Sequence, residues 1–114
     1  MINLAAEDRK QLIAVLKDIP ELATERGRRL ILELAGLEKL APYIDFSGSA
    51  FLAVIQIVQW LSNYGYVDEN NQALGLFLNT IKELDGVQSE QREYLEKLLN
   101  KYGMMKPIPP SSKG

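Results

Sequence analysis

Ala50-Phe51-Leu52-Ala53-Val54-Ile55-Gln56-Ile57-Val58-Gln59-Trp60-Leu61-Ser62-Asn63-Tyr64 is the stretch that decides the fold. Phe51, Leu52, Val54, Ile55, Ile57, Val58, Trp60 and Leu61 cover most of the circumference of a helix. A helix apolar nearly all round is expected at the centre of a bundle. Its start is marked by Ser47 or Ser49, whose hydroxyl can accept a hydrogen bond from a free backbone N–H, and its end by Gly65. The apolar run from Phe51 to Leu61 is broken by Gln56 and Gln59 and is far too short to span a bilayer.

Outward from this helix the chain reads as helices throughout. Leu12, Val15, Leu16 and Ile19 recur at helical spacing and predict a first helix over 5–18, stopped by Pro20. A second helix begins at the cap Thr24, turns Leu30, Ile31 and Leu34 inward, and ends at Gly36. A short turn over 38–41 is closed by Pro42. After the polar connector 66–71, Asn70 or Asn71 is expected to cap a helix over 72–84 with Leu74, Phe77, Leu78 and Ile81 inward. Gly86 ends that helix, and Ser89 is expected to cap the last one. There Leu95, Leu98, Leu99 and Tyr102 face in, and Gly103 closes it. No segment alternates apolar and polar residues for long, so the fold class is all-α: a compact bundle of five to six helices. Residues 1–103 form the domain. Residues 104–114, with Pro107-Ile108-Pro109-Pro110, read as a Pro-rich flexible tail or linker that also fits a loose P-x-x-P pattern.

The chain has 114 residues, 46% of them apolar, enough for a packed core. It has no cysteine and no histidine. Disulfides, thiolate nucleophiles, imidazole metal ligands and Ser-His-Asp catalysis are therefore excluded. Thirteen basic residues face fifteen acidic ones, a formal net charge of −2, which gives no overall attraction for nucleic acid or an anionic membrane. With no basic n-region ahead of an apolar run, a cytoplasmic protein is the expectation. No cofactor or metal site is expected.

Two charged features stand out. Arg26-Gly27-Arg28-Arg29 is the densest basic cluster, and its place at a helix N-terminus is unfavourable for cations. It reads either as a solvated face with local ion pairs or as a surface that meets carboxylates of another chain. Asp68 and Glu69, with Asn70 and Asn71, read either as a polar loop or as the acidic counterpart of that basic patch, which would suit head-to-tail assembly. The carboxylates come singly or in surface pairs such as Glu7-Asp8 and Asp68-Glu69, and nothing in the sequence separates a pair held across a cleft, as hydrolytic chemistry requires, from solvated charge. Ser47-Gly48-Ser49 lacks the length and the lysine of a phosphate-binding loop. Phe51, Trp60 and Phe77 read as core residues, and Tyr64-Gly65-Tyr66 as a packed helix end.

Taken in order, these pieces resemble the effector-associated domains of bacterial conflict and signalling proteins, grouped with the bacterial death-like domains. The resemblance runs through Leu12 to Pro20, Arg26-Gly27-Arg28-Arg29-Leu30, Gly36-Leu37, Ile44-Asp45-Phe46-Ser47-Gly48, Leu61 to Gly65, Ala73-Leu74-Gly75-Leu76, Leu84 to Gly86 and Gln91 to Leu99. It covers about residues 4–102. It implies a death-fold-like arrangement of six helices and a non-enzymatic adaptor. Such a module pairs with the same or a related helical domain, as a homo-oligomer in the first case. It recruits or clusters an effector, a peptidase or an NTPase module, in immunity or cell-death signalling. On this reading Arg26, Arg28 and Arg29 form one interaction surface and Asp68 and Glu69 the other. A small nucleotide-sensing domain using the arginines, or a constitutive dimerisation scaffold, are the competing readings.

Overall fold

Pro20 opens a 3-10 turn, Gly36, Gly65 and Gly103 follow the ends of helices, and most of the described chain between them is helical. The computed structural model describes residues 2–105. In order they form α1 (Ala6–Leu16), a 3-10 turn (Pro20–Leu22), α2 (Glu25–Leu34), a second 3-10 turn (Glu38–Tyr43), α3 (Ala50–Tyr64), α4 (Ala73–Lys82) and α5 (Ser89–Tyr102). The fold is an all-α bundle. Among the described residues the β-pairing is limited to two isolated bridges, Tyr66–Gln72 and Asn71–Met105. No helix among them is long and apolar enough to cross a membrane.

The ends follow the capping chemistry in part. Thr24 Oγ1 accepts from Gly27 N at 3.1 Å, and Ser49 Oγ from Leu52 N at 3.2 Å. Gly103 closes α5 in the left-handed conformation, with φ 58°. The start of α4 differs from expectation. Neither Asn70 nor Asn71 caps it; instead Gln72 N donates to Met104 O at 2.9 Å and Ala73 N to Gly65 O at 2.8 Å. Carbonyls from elsewhere in the fold replace the side-chain cap. On α5 the cap lies one residue earlier than Ser89: Gln88 N donates to Gln91 Oε1 at 2.8 Å, half of a capping box.

The central helix is α4, not α3. It packs against α2, α3 and α5, and Ala73, Leu74, Gly75, Phe77, Leu78 and Ile81 are buried along it. On its inner side α3 packs against α1 and α4, burying Ala53, Val54, Ile57, Val58 and Leu61. Its outer side is left uncovered. Leu12, Leu16, Ile19, Leu22, Leu32 and Phe46 fill the core from the N-terminal half, and Leu95 and Leu98 from α5. Truncating one such leucine to alanine costs about 2–5 kcal/mol. On α1, Ile13 is buried where Val15 was expected. On α2, Ile31 and Leu32 point inward with Arg28, while Leu30 and Leu34 are exposed, Leu34 at 71%.

The packed body also runs past the expected boundary at Gly103. Met104 is fully buried, its N–H donates to Leu99 O at 3.1 Å, and Met105 bridges to Asn71. Met104 lies so close to α4 that a Cβ on Gly75 would stand 2.8 Å from the Met104 Cβ. Met104 and Met105 thus belong to the domain rather than to a tail. The Pro107–Pro110 segment lies outside the described residues.

The first helix is tied to the last through Asp8. Its carboxylate accepts from Lys101 Nζ at 2.9 Å and from the Tyr102 hydroxyl, which itself accepts from Ala5 N at 3.0 Å. Between α4 and α5, Arg92 Nε donates to Lys82 O at 2.6 Å, and its Nη2 reaches the carbonyls of Leu84 and Val87. This guanidinium satisfies carbonyls that the end of α4 leaves without helical partners.

Candidate protein-interaction site

Of the three clustered arginines, one is not on the surface. Arg28 is only 2% exposed, and its guanidinium donates four hydrogen bonds, all to backbone carbonyls. Nε reaches Leu22 O at 2.8 Å and Nη2 reaches Ala23 O at 3.1 Å, both just ahead of its own helix. Nη1 reaches Phe46 O at 2.7 Å and Gly48 O at 2.9 Å in the segment leading into α3. The planar five-donor fork of arginine suits this task, and a lysine could not span it. Arg28 is therefore a structural bolt and not a residue of an interaction surface. Its unfavourable place at a helix N-terminus is offset by four carbonyl dipoles.

Gly27 completes the same junction. A Cβ there would stand 2.0 Å from Glu21 O, so the first turn of α2 passes too close to the preceding 3-10 turn for any side chain. The arginine–glycine pair is thus explained by packing.

Arg26 and Arg29 are exposed at the start of α2. Arg29 lies over the Phe46 ring, its Cζ 4.8 Å from the centroid, a cation–π contact within the chain. Asp68 and Glu69 are exposed in the loop between α3 and α4. The Asp68 carboxylate organises that loop, accepting from Asn70 N at 2.8 Å, Asn71 N at 2.9 Å and the Asn71 amide. These hydrogen bonds, led by the one from the Asn70 backbone, hold its pKa below the usual value. Among the described residues, Arg26 and Glu69 make no side-chain hydrogen bond or ion pair. The exposed basic residues of this set lie on α2 and the acidic ones in the α3–α4 loop. Of the five, only Arg26 and Glu69 have no role within the fold.

A second surface was not legible as such. Leu52, Ile55, Gln56, Gln59, Trp60 and Asn63 line one shallow groove along the outer side of α3. Their spacing of three and four residues makes them a single stripe of the helix. Leu52 is 56% exposed, and the Trp60 indole is half-buried and stacked with two tyrosine rings. Tyr43 stacks on it with centroids 6.1 Å apart and planes 8° from parallel, and Tyr64 stacks on it at 5.6 Å and 17°. Tyr43 is 69% exposed and Tyr64 nearly half. Phe51, expected in the core, is half exposed. The signal that could have found this stripe is the absence of any Asp, Glu, Lys or Arg from Ala50 to Tyr64, with amides at Gln56, Gln59 and Asn63.

The fold is a small all-α bundle of five helices around α4, with an uncovered aromatic face on α3. The chain belongs to the family described as effector-associated domain 8, whose model matches residues 6–102, from the first residue of α1 to the last of α5. No curated protein and no solved structure matches it.

Proposed function

We propose that this domain is a non-catalytic adaptor that binds another helical domain, the same or a related one, and thereby recruits or clusters an effector in bacterial immunity or cell-death signalling. The family description supports the link to effectors. The observation that carries the adaptor reading is the exposed stripe of α3. Ile55 and Trp60 reach the core only with part of their surface, while Leu52, with Phe51 beside it and Tyr43 and Tyr64 next to Trp60, is left to solvent. Contiguous exposed apolar surface of this kind is characteristic of protein-binding faces, which are enriched in Tyr and Trp. A death-fold-like partner and a cytoplasmic setting belong to the same proposal. The competing nucleotide-sensing reading loses its best donor group, because Arg28 spends its guanidinium on carbonyls of its own chain.

The test is capture. The purified domain is presented to immobilised copies of itself and of related effector-associated domains, and complex mass is measured by light scattering. Stable complexes with at least one of them are expected. Absence of binding to all of them at tens of micromolar would overturn the adaptor reading.

A further inference from the structure

We infer that the outer stripe of α3 is a self-association surface, and that its occupant is the same stripe of a second copy of this chain packed about a two-fold axis. This rests on the adaptor reading and deepens it by naming the surface and the partner.

Charge is the first reason. A quarter of the chain's residues are charged, yet the fifteen residues of α3 carry no charge. A two-fold contact sets one patch against itself, so any charge near the axis faces its own sign. A neutral stripe escapes that repulsion, whereas against an acidic or basic partner it offers no complementary field. Arg9 lines a small cleft with Gln59 and Asn63 at the edge of the stripe. There it stays at a solvated rim.

Hydrogen bonding is the second reason. Gln56, Gln59 and Asn63 are exposed on this stripe, and each amide carries both donors and an acceptor. Identical amides can therefore satisfy one another across a two-fold axis, which identical ammonium or carboxylate groups cannot. The third reason is the Tyr43–Trp60–Tyr64 cluster beside them. Its stacked rings are already held in place before contact, so little conformational freedom is lost on burial, and Trp and Tyr are the residues that most often dominate binding energy.

The experiment uses sedimentation equilibrium and the emission of Trp60, the single tryptophan of the chain. The wild-type protein is expected to dimerise on concentration, at low and high salt alike, with a blue shift of Trp60 emission as the indole leaves water. Gln59→Lys and Gln59→Glu should each dimerise roughly a hundredfold more weakly, because like charges then meet across the axis. An equimolar mixture of the two should recover dimers. Gln56→Lys and Gln56→Glu repeat the experiment if either Gln59 variant fails to melt like the wild type. Dimerisation of the single variants at wild-type strength would overturn the inference. So would a wild-type chain that stays monomeric to millimolar concentration. A monomer that still captures a related effector-associated domain leaves the adaptor reading standing without the second copy; one that captures nothing removes both.

Discussion

Arg28 Nη1 donates to the Phe46 carbonyl at 2.7 Å, joining the first turn of α2 to the segment that leads into α3. With Leu22, Ala23 and Gly48 also accepting from the same guanidinium, one side chain fixes two loops. Arg28→Ala would leave these carbonyls without their donors, several of them buried. It should lower stability by about 3 kcal/mol or more in urea unfolding. Arg28→Lys should recover only a minor part of that. Arg29→Glu, which touches only the Phe46 ring face, should cost under about 1 kcal/mol. A charge reversal at position 28 therefore reports on folding, and only Arg26 and Arg29 can test a basic interaction surface.

Gly27→Ala sets two effects against each other. Alanine raises helix propensity by about 1 kcal/mol over glycine. The added Cβ, however, meets the Glu21 carbonyl oxygen at 2.0 Å, which is backbone and cannot swing aside. The clash should win, and the variant should melt below the wild type. A rise in melting temperature would show that the junction between the 3-10 turn and α2 yields easily.

Met104→Ala should cost about 2–4 kcal/mol, because it empties a fully buried site against Gly75. A chain shortened to end at Gly103 should lose more. It also takes away the carbonyl that accepts from Gln72 N at the start of α4. Melting curves of the two variants, compared with the wild type, check both.

The link between α1 and α5 gives stability a pH signature at both extremes. The Tyr102 hydroxyl, then Lys101, hold the Asp8 carboxyl below its ordinary pKa. A depressed folded pKa contributes stability that is fully present above the unfolded value near 4 and is lost as pH falls through the folded one. Tyr94 is pushed up to about 12, chiefly by burial. A raised tyrosine pKa contributes stability that is present below about 10 and lost as pH rises from there through the folded value. Unfolding free energy measured against pH should thus fall at both ends. Asp8→Asn should flatten the acid limb and Tyr94→Phe the alkaline one, and unchanged slopes would contradict the assignment.

Local signals were legible where one residue acts on its neighbours. The bounds of α3 follow from Ser49 and Gly65, and Thr24 and Gly103 behave as their types suggest. What escaped were partners distant in sequence. Arg28 binds carbonyls, which every residue carries, so nothing in the sequence marks Phe46 and Gly48 as its acceptors. The all-round apolar pattern of α3 reports how much apolar surface the helix has, not whether the same chain covers it. That difference moved the centre of the bundle to α4 and turned an expected core helix into the candidate site. Met104 and Met105 precede a proline-rich run whose composition masks them, and the burial of Met104 and the close approach of Met105 depend on the missing side chain at Gly75.

Residues near both ends of the described chain are tied to the junction between α3 and α4. Ile2 N donates to Ser62 O near the end of α3, Met104 O accepts from Gln72 N at the start of α4, and Gly65 O accepts from Ala73 N between them. Ile2 and Met104 are therefore both held at the α3–α4 junction. Loosening that single junction would let go of Ile2 and Met104 together.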